Sequence, residues 1–461
     1  MNALFGSLHG DPVIDDIVSV RGSIERCLRF ESALAQVQGR LGLIPPAAAR
    51  EIERVARLEF IDLDQIVART AMVGLPIVGL VEQLGRQCSG DLGQYVHFGA
   101  TTQDVMDTAC ALQLRDAFAH LAEGVATIDV RLDALSHRHA DAVMAGRTNH
   151  QHALPLSFGF KAAVWRAGVL RHRERLAQTA ARCAVGQFAG AVGTLASLPG
   201  IGPQVRAQLL QKLGLAEPAI AWHAARDLPI EAIGVLAQLA ATLGKIAVDL
   251  LDLSQTEIAE VAFAAGALRG QSSTMPQKRN PVSACSVVAL SRLLFQQHGA
   301  MLQAGMLQHE RALDAWYVEL HALTEGLRLA GGVVRHARLM LDSLAVDPAR
   351  MAENLQLTRG AITAESLQMA LAGRLGLHRA HELIGELCEA ASRSGLPLAE
   401  VAGRTPAIAE AMTPDELQQA LDTGRHAEFA GVELAHFWSR TESAALNRKD
   451  SLAPRSSSSS S

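Results

Sequence analysis

With 461 residues, 49% of them hydrophobic and 19% charged, the chain has the balance of a folded globular protein, which excludes disordered and collagen-like classes. Forty-two Lys plus Arg against 47 Asp plus Glu give a net charge of −5 with no basic block, so no nucleic acid and no membrane is expected as partner, and a small molecule is. Aromatics are only 4%, leaving Ala, Leu and Val to do the packing, as in close-packed helices rather than a β-sandwich.

In chain order, the first 16 residues lack the basic and apolar regions of a secretory signal. Ile24, Leu28, Leu34, Val37 and Leu41 then recur at helical spacing, and this pattern continues over most of the chain. Two stretches, 230–261 and 282–307, run well beyond an average helix with little Pro or Gly, which predicts long helices inside a bundle. The most apolar part, 230–253, is interrupted by Gln238, Lys245 and Asp249 and is expected to be an interior helix rather than a membrane span. Pro45-Pro46, Ser89-Gly90 and the Gly-rich 190–202 and 266–281 segments punctuate the pattern. The expected fold is all-α: an N-terminal helical domain over 1–100, a central long-helix bundle over 101–345 carrying the 266–281 loop, a C-terminal helical domain over 346–450, and a disordered tail over 451–461. Six scattered cysteines without a C-x-x-C pair fit a reducing cytoplasm and neither a disulfide frame nor zinc.

The 266–281 segment, G-A-L-R-G-Q-S-S-T-M-P-Q-K-R-N-P, is a polar Gly/Ser-rich loop between two long apolar stretches. Its Lys278 is one of only five lysines in a chain that otherwise uses Arg. On these residues alone the segment is either a functional loop or a solvated connector whose Pro276 and Pro281 stop helices.

S-S-T-M-P-Q-K-R-N-P resembles the signature G-S-S-x-M-P-x-K-x-N-P of the fumarase/aspartase superfamily. His97-Phe98-Gly99-Ala100-Thr101-Thr102-Gln103-Asp104 is similar to that family's first active-site segment, and Gly146-Arg147-Thr148-Asn149-His150-Gln151-His152-Ala153 to its second. The likeness continues through Trp222-His223-Ala224-Ala225-Arg226-Asp227. His309-Glu310-Arg311-Ala312 and Leu357-Thr358-Arg359-Gly360 are similar to the lactonising branch, which acts on 3-carboxy-cis,cis-muconate. The resemblance implies a reaction through a carbanion delocalised into a carboxylate, with no cofactor and no metal, on a small tricarboxylate substrate. It also implies a homotetramer with active sites shared between subunits.

By the same resemblance, Ser272 delivers the proton, while Lys278 and Asn280 stabilise the developing dianion. Thr101, Thr102 and Gln103, at a helix N-terminus that favours anions, are expected to bind substrate carboxylates together with His152, Ser273 and Arg311. Simple helix capping is the alternative role for the Thr101–Gln103 trio, a salt bridge with Glu310 that for Arg311, and a structural role that for Arg359.

Three positions depart from the family pattern. Asn149 stands where many lyases of the superfamily carry a histidine after Arg-Thr. The 70–78 stretch lacks the Arg-His pair of adenylosuccinate lyases, and Gln271 replaces the usual Gly before the serine pair. The first two losses remove acids for an amine or alcohol leaving group. That favours intramolecular carboxylate chemistry over a β-eliminating lyase of the adenylosuccinate or argininosuccinate type.

Overall fold

The computed structural model describes residues 3–264, 270–271, 273–275 and 277–452. It divides into two compact units, one comprising Met1–Thr127, Val169–Val248 and Val282–Leu339, the other Ile128–Gly168, Asp249–Pro281 and Met340–Ser461. Helices dominate, in keeping with the all-α expectation. The longest are Thr102–Arg138, Leu313–Asp342, Gly424–Leu452, Asp227–Leu253, Phe158–Cys183 and Val282–Ala304, at 37, 30, 29, 27, 26 and 23 residues.

In the first unit the Val20–Arg40 helix buries Ile24, Leu28, Phe30, Leu34 and Val37 against Leu80, Leu84, Val105, Leu112, Phe188 and Leu209. Each such side chain contributes roughly 1.5–3 kcal/mol on burial. Ser19 starts this helix by accepting the Gly22 N–H at 2.9 Å. The Asp227–Leu253 helix is long and apolar enough to cross a membrane by composition, yet two-thirds of its most apolar window, 67%, is buried inside the protein, as an interior helix requires.

The predicted 230–261 helix ends early, at Leu253. There the Ser254 N–H turns back to the Leu250 and Leu251 carbonyls, Ala259 adopts φ +52°, and the chain re-emerges as strand Val261–Phe263 paired antiparallel with Leu344–Val346. The 282–307 expectation is met over Val282–Ala304, stopping just before Gly305.

A second strand pair was not foreseen. In the second unit Val143–Thr148 and Gln151–Ser157 form an antiparallel hairpin, with Arg147 opposite His152 and Thr148 opposite Gln151. Its two-residue turn is Asn149-His150, both left-handed at φ +50° and +64°, as a type I′ turn requires. The ladder shifts register at Gly146, where an added Cβ would lie 2.5 Å from the Leu154 carbonyl oxygen. The same unit holds a separate C-terminal core of Leu367, Leu371, Leu383, Ile384, Leu387 and Leu398.

Candidate active site

The first unit places Thr101 and Thr102 half-buried at the start of the Thr102–Arg138 helix, with Gln103 buried beside them. This helix start is organised by Asp104. Its Oδ2 accepts the Thr101 N–H at 3.0 Å and the Gly190 N–H at 3.0 Å, while its Oδ1 accepts the Ala189 N–H at 2.8 Å and lies 2.9 Å from His223 Nε2. The carboxylate therefore stitches the first segment to the Gly-rich 186–200 stretch and to the 222–227 segment. The three-residue reach from Thr101 to Asp104 is the returning half of a capping box.

Gln103 and Arg311, 208 positions apart in sequence, meet directly: Arg311 Nε donates to Gln103 Oε1 at 2.7 Å. The other end of the amide donates to the His223 carbonyl at 2.9 Å, and Arg311 also reaches the Ala191 carbonyl at 3.1 Å. Arg311 is otherwise exposed, leaving part of its fork for an anion. Its alternative partner Glu310 forms no ion pair with it among the described residues. Arg359 donates to the Gly395 carbonyl at 2.5 Å, the structural role weighed for it.

One helical turn beyond Gln103, Asp107 joins a group that sequence reasoning missed. Arg226 donates to both Asp107 oxygens at 2.9 Å and through Nε to Glu319 at 2.7 Å, with all three side chains 2–3% exposed. Trp222 lies under the guanidinium, 4.9 Å from ring centre to Cζ. Burial pushes the Asp107 carboxyl up, against the pull of Arg226, and Glu319 adds to the rise. Arg226 is driven upward by the two carboxylates despite its burial. The signal available was an Asp-x-x-Asp pair, two carboxylates at one-turn spacing just inside the start of a predicted helix.

The second unit carries the remaining expected residues. His152 sits on the second hairpin strand opposite Arg147, and its Nδ1 is buried with no partner among the described residues. Burial, then the Arg147 charge, lowers its pKa, with Glu260 opposing, so the ring is neutral near pH 7. Arg147 grips the fully buried Glu260 with two bonds, at 2.9 and 2.6 Å, and Asn354 donates to the same carboxylate at 2.8 Å. This clamp fixes the strand register that carries His152. His150 faces solvent.

Ser272 lies outside the described residues. The loop around it is pinched at its base: the Asn280 N–H donates to the Gly270 carbonyl at 2.8 Å, Gln271 and Arg279 form an antiparallel bridge, and the Lys278 N–H returns to Met275 O at 3.1 Å. Gly270 supplies the backbone freedom at φ +71°, and a Cβ there would lie 2.3 Å from the Asn280 carbonyl oxygen. Gln271 therefore replaces a glycine at a position where none is needed. Ser273, Lys278 and Asn280 are exposed on this loop, and Ser273 Oγ lies 3.4 Å from Thr274 Oγ1. A cationic amine, an amide and a serine pair on a pinched loop can hold an anion and move a proton next to it.

A family model described as Lyase matches residues 47–292. The chain is 39% identical to the 3-carboxy-cis,cis-muconate cycloisomerase of Pseudomonas aeruginosa over 92% of this chain and 93% of that protein. It is 33% identical to the N-acetyl-S-(2-succino)cysteine lyase of Dickeya dadantii, over 92% and 93%. Among solved structures, the 3-carboxy-cis,cis-muconate lactonizing enzyme from Pseudomonas putida superposes with a TM-score of 0.89 at 35% identity, covering 95% of this chain and 98% of that one. The chain belongs to the fumarase/aspartase superfamily of lyases.

Proposed function

We propose that this protein closes 3-carboxy-cis,cis-muconate to a carboxymuconolactone, in protocatechuate breakdown. One substrate carboxylate adds across the diene, forming a C–O bond. The displaced electron pair passes into the conjugated carboxylate as an aci-carboxylate dianion, and Ser272 delivers a proton to the α carbon. Lys278 and Asn280 hold the dianion, and Thr101, Thr102, His152, Ser273 and Arg311 take the remaining carboxylates. Gln103, with both ends of its amide engaged, contributes by aiming Arg311. The step calls for neither cofactor nor metal.

The observation that carries this reading is Asn149, a neutral amide in an exposed turn where many lyases have a histidine acid. A carboxylate leaving group has a low pKa and needs no such acid. Loss of the muconate diene absorbance on adding purified protein tests the reading. Turnover of adenylosuccinate or argininosuccinate to fumarate, without loss of the diene, would overturn it. The second reading, a β-eliminating lyase, draws support from the similarity to the succinocysteine lyase.

The protein is further proposed to work as a homotetramer with sites shared between subunits. Leu293, Phe295 and Leu302 on the Val282–Ala304 helix, with Val130, Val164 and Val248 on other long helices, are exposed apolar side chains of the kind a subunit interface covers. A tetrameric mass in light scattering is expected, and mixed Ser272→Ala and His152→Ala subunits should regain activity. A monomer, or failure to complement, would refute the shared site. All six cysteines are free, which suits a reducing cytoplasm.

A further inference from the structure

The Val20–Arg40 helix packs on an apolar core, yet two of its fully buried positions are polar: Glu31 at 1% exposure and Gln38 at 0%. Burying such groups is unfavourable unless they hold something. Seven residues apart, they lie on one helix face and reach the same short turn. Glu31 Oε1 is 2.7 Å from His97 Nδ1, and Gln38 Nε2 donates to the Phe98 carbonyl at 2.7 Å. Both keep one buried oxygen without a partner among the described residues, so the turn takes precedence over their own full satisfaction. His97 itself is held at φ +63°, unfavourable for any residue with a Cβ, although a turn that only fed the next helix could use glycine there, as Gly99 does at φ +74°.

This geometry leaves one nitrogen free. With Nδ1–H donated to Glu31, the His97 Nε2 has no partner among the described residues, and the side chain is 19% exposed. The Ala100 N–H bonds back to the His97 carbonyl, so the ring stands one turn before Thr101 and Thr102. A neutral ring in this tautomer would present Nε2 as an acceptor and repel a carboxylate, whereas the imidazolium presents a donor. Two charged groups act on the ring, Glu31 from one helix and Asp104 from another. Burial disfavours the charged form, but Glu31, by charge and hydrogen bond, and then Asp104 outweigh it and raise the His97 pKa above its ordinary value.

We propose that His97 is a further substrate-binding residue whose Nε2–H takes a carboxylate of a polycarboxylate ligand beside Thr101 and Thr102, and that Glu31 is the positioning residue that orients and charges the ring. The proposal rests on the reading of this chain as an enzyme of polycarboxylates, and it makes binding proton-linked.

The test uses tricarballylate, a non-reacting tricarboxylate, in calorimetric titrations from pH 5.5 to 8.5. Wild-type affinity should fall about tenfold as pH rises through the raised His97 pKa, the effect of losing one charge-assisted hydrogen bond. Glu31→Gln keeps an acceptor for Nδ1–H but removes the charge; its affinity should be about tenfold weaker at pH 7 and recover at pH 5.5. His97→Asn, chosen because Asn tolerates the left-handed backbone, should bind weakly at every pH with no histidine-like step. On muconate, the same variants should show the loss in KM more than in kcat. A pH-independent wild-type affinity, a wild-type profile in Glu31→Gln, or weakening that tracks a lowered melting temperature and is not rescued at pH 5.5 would each overturn the proposal. Absence of muconate turnover by the wild type would refute the functional reading alone, since the calorimetric profile still decides the role of His97.

Discussion

Replacing Arg226 with methionine removes the single cation held between Asp107 and Glu319 and keeps a side chain of similar length. Both carboxylates are 2–3% exposed, so neither can turn to water. The cheapest relief is for one to take a proton, so that the two share it. Protonating an ordinary carboxyl of pKa near 4 at pH 7.5 costs about 4.8 kcal/mol, at about 1.36 kcal/mol per pH unit. This agrees with the roughly 3–5 kcal/mol seen when one member of a buried pair is removed. The sign follows from the direction already visible in the wild type, where Asp107 is raised by burial. A carboxyl raised in the folded state binds more protons there than in the unfolded chain, so stability falls as pH rises between the unfolded value near 4 and the raised folded one. The deficit should therefore shrink to about 1–2 kcal/mol at pH 5. At about 2.1 cal/mol/K per residue, unfolding 461 residues carries about 1 kcal/mol/K of entropy, so Arg226→Met should melt about 4–5 °C lower at pH 7.5. Scanning calorimetry of the variant at pH 7.5 and 5.0 checks both numbers. A melting temperature within 1 °C of wild type at pH 7.5, or a deficit that does not shrink at pH 5, would refute the reasoning.

Ser272→Ala should lower turnover by about 10²–10⁴ while leaving the circular dichroism spectrum and melting temperature unchanged, as expected for a group that moves a proton. Gly270→Ala places a Cβ 2.3 Å from the Asn280 carbonyl oxygen at φ +71°; kcat should drop at least tenfold in the diene assay with little change in melting temperature. Asn149→His should create no release of fumarate from adenylosuccinate or argininosuccinate and should lower kcat/KM on muconate roughly tenfold to hundredfold, about 1.4–2.7 kcal/mol. His172, buried and paired with Thr242 at 2.8 Å, has its pKa lowered to about 4 by burial and by Arg175 and Arg171, so its ring resonances should not shift in an NMR titration between pH 8 and 5.5.

What could be read from the sequence depended on how far apart the partners lie. The Lys278 and Asn280 loop is contiguous, and a motif within ten residues announces itself. Its pinch point was not legible, because Gly270 matters only through its approach to the Asn280 carbonyl. Gln103 was expected to bind substrate, and its amide is engaged by Arg311 and by the His223 carbonyl, contacts that spacing along one helix cannot show. Asp104 and Asp107 meet His223 and Arg226 across 119 positions, so only their own one-turn spacing was available. The hairpin at 143–157 escaped because its turn uses Asn-His rather than Asn-Gly, and the strand interior breaks alternation at Gly146.

The Arg147 clamp has a consequence for how the chain is made. Arg147 leaves the ribosome 113 residues before Glu260, and the Asn354 that completes the carboxylate's shell follows 94 residues later still. Until then the hairpin bearing His152 has its turn but not its anchor, and two-stranded ribbons alone are marginal in water. Synthesis from the N-terminus thus leaves the His152 strand to be secured among the last events, after Ala189, Gly190, His223 and Arg311 have supplied the partners of the segment around Thr101. A chain truncated before residue 354 should hold a protease-sensitive hairpin, however well its long helices have formed, and the cell would meet an unfinished molecule that already looks helical.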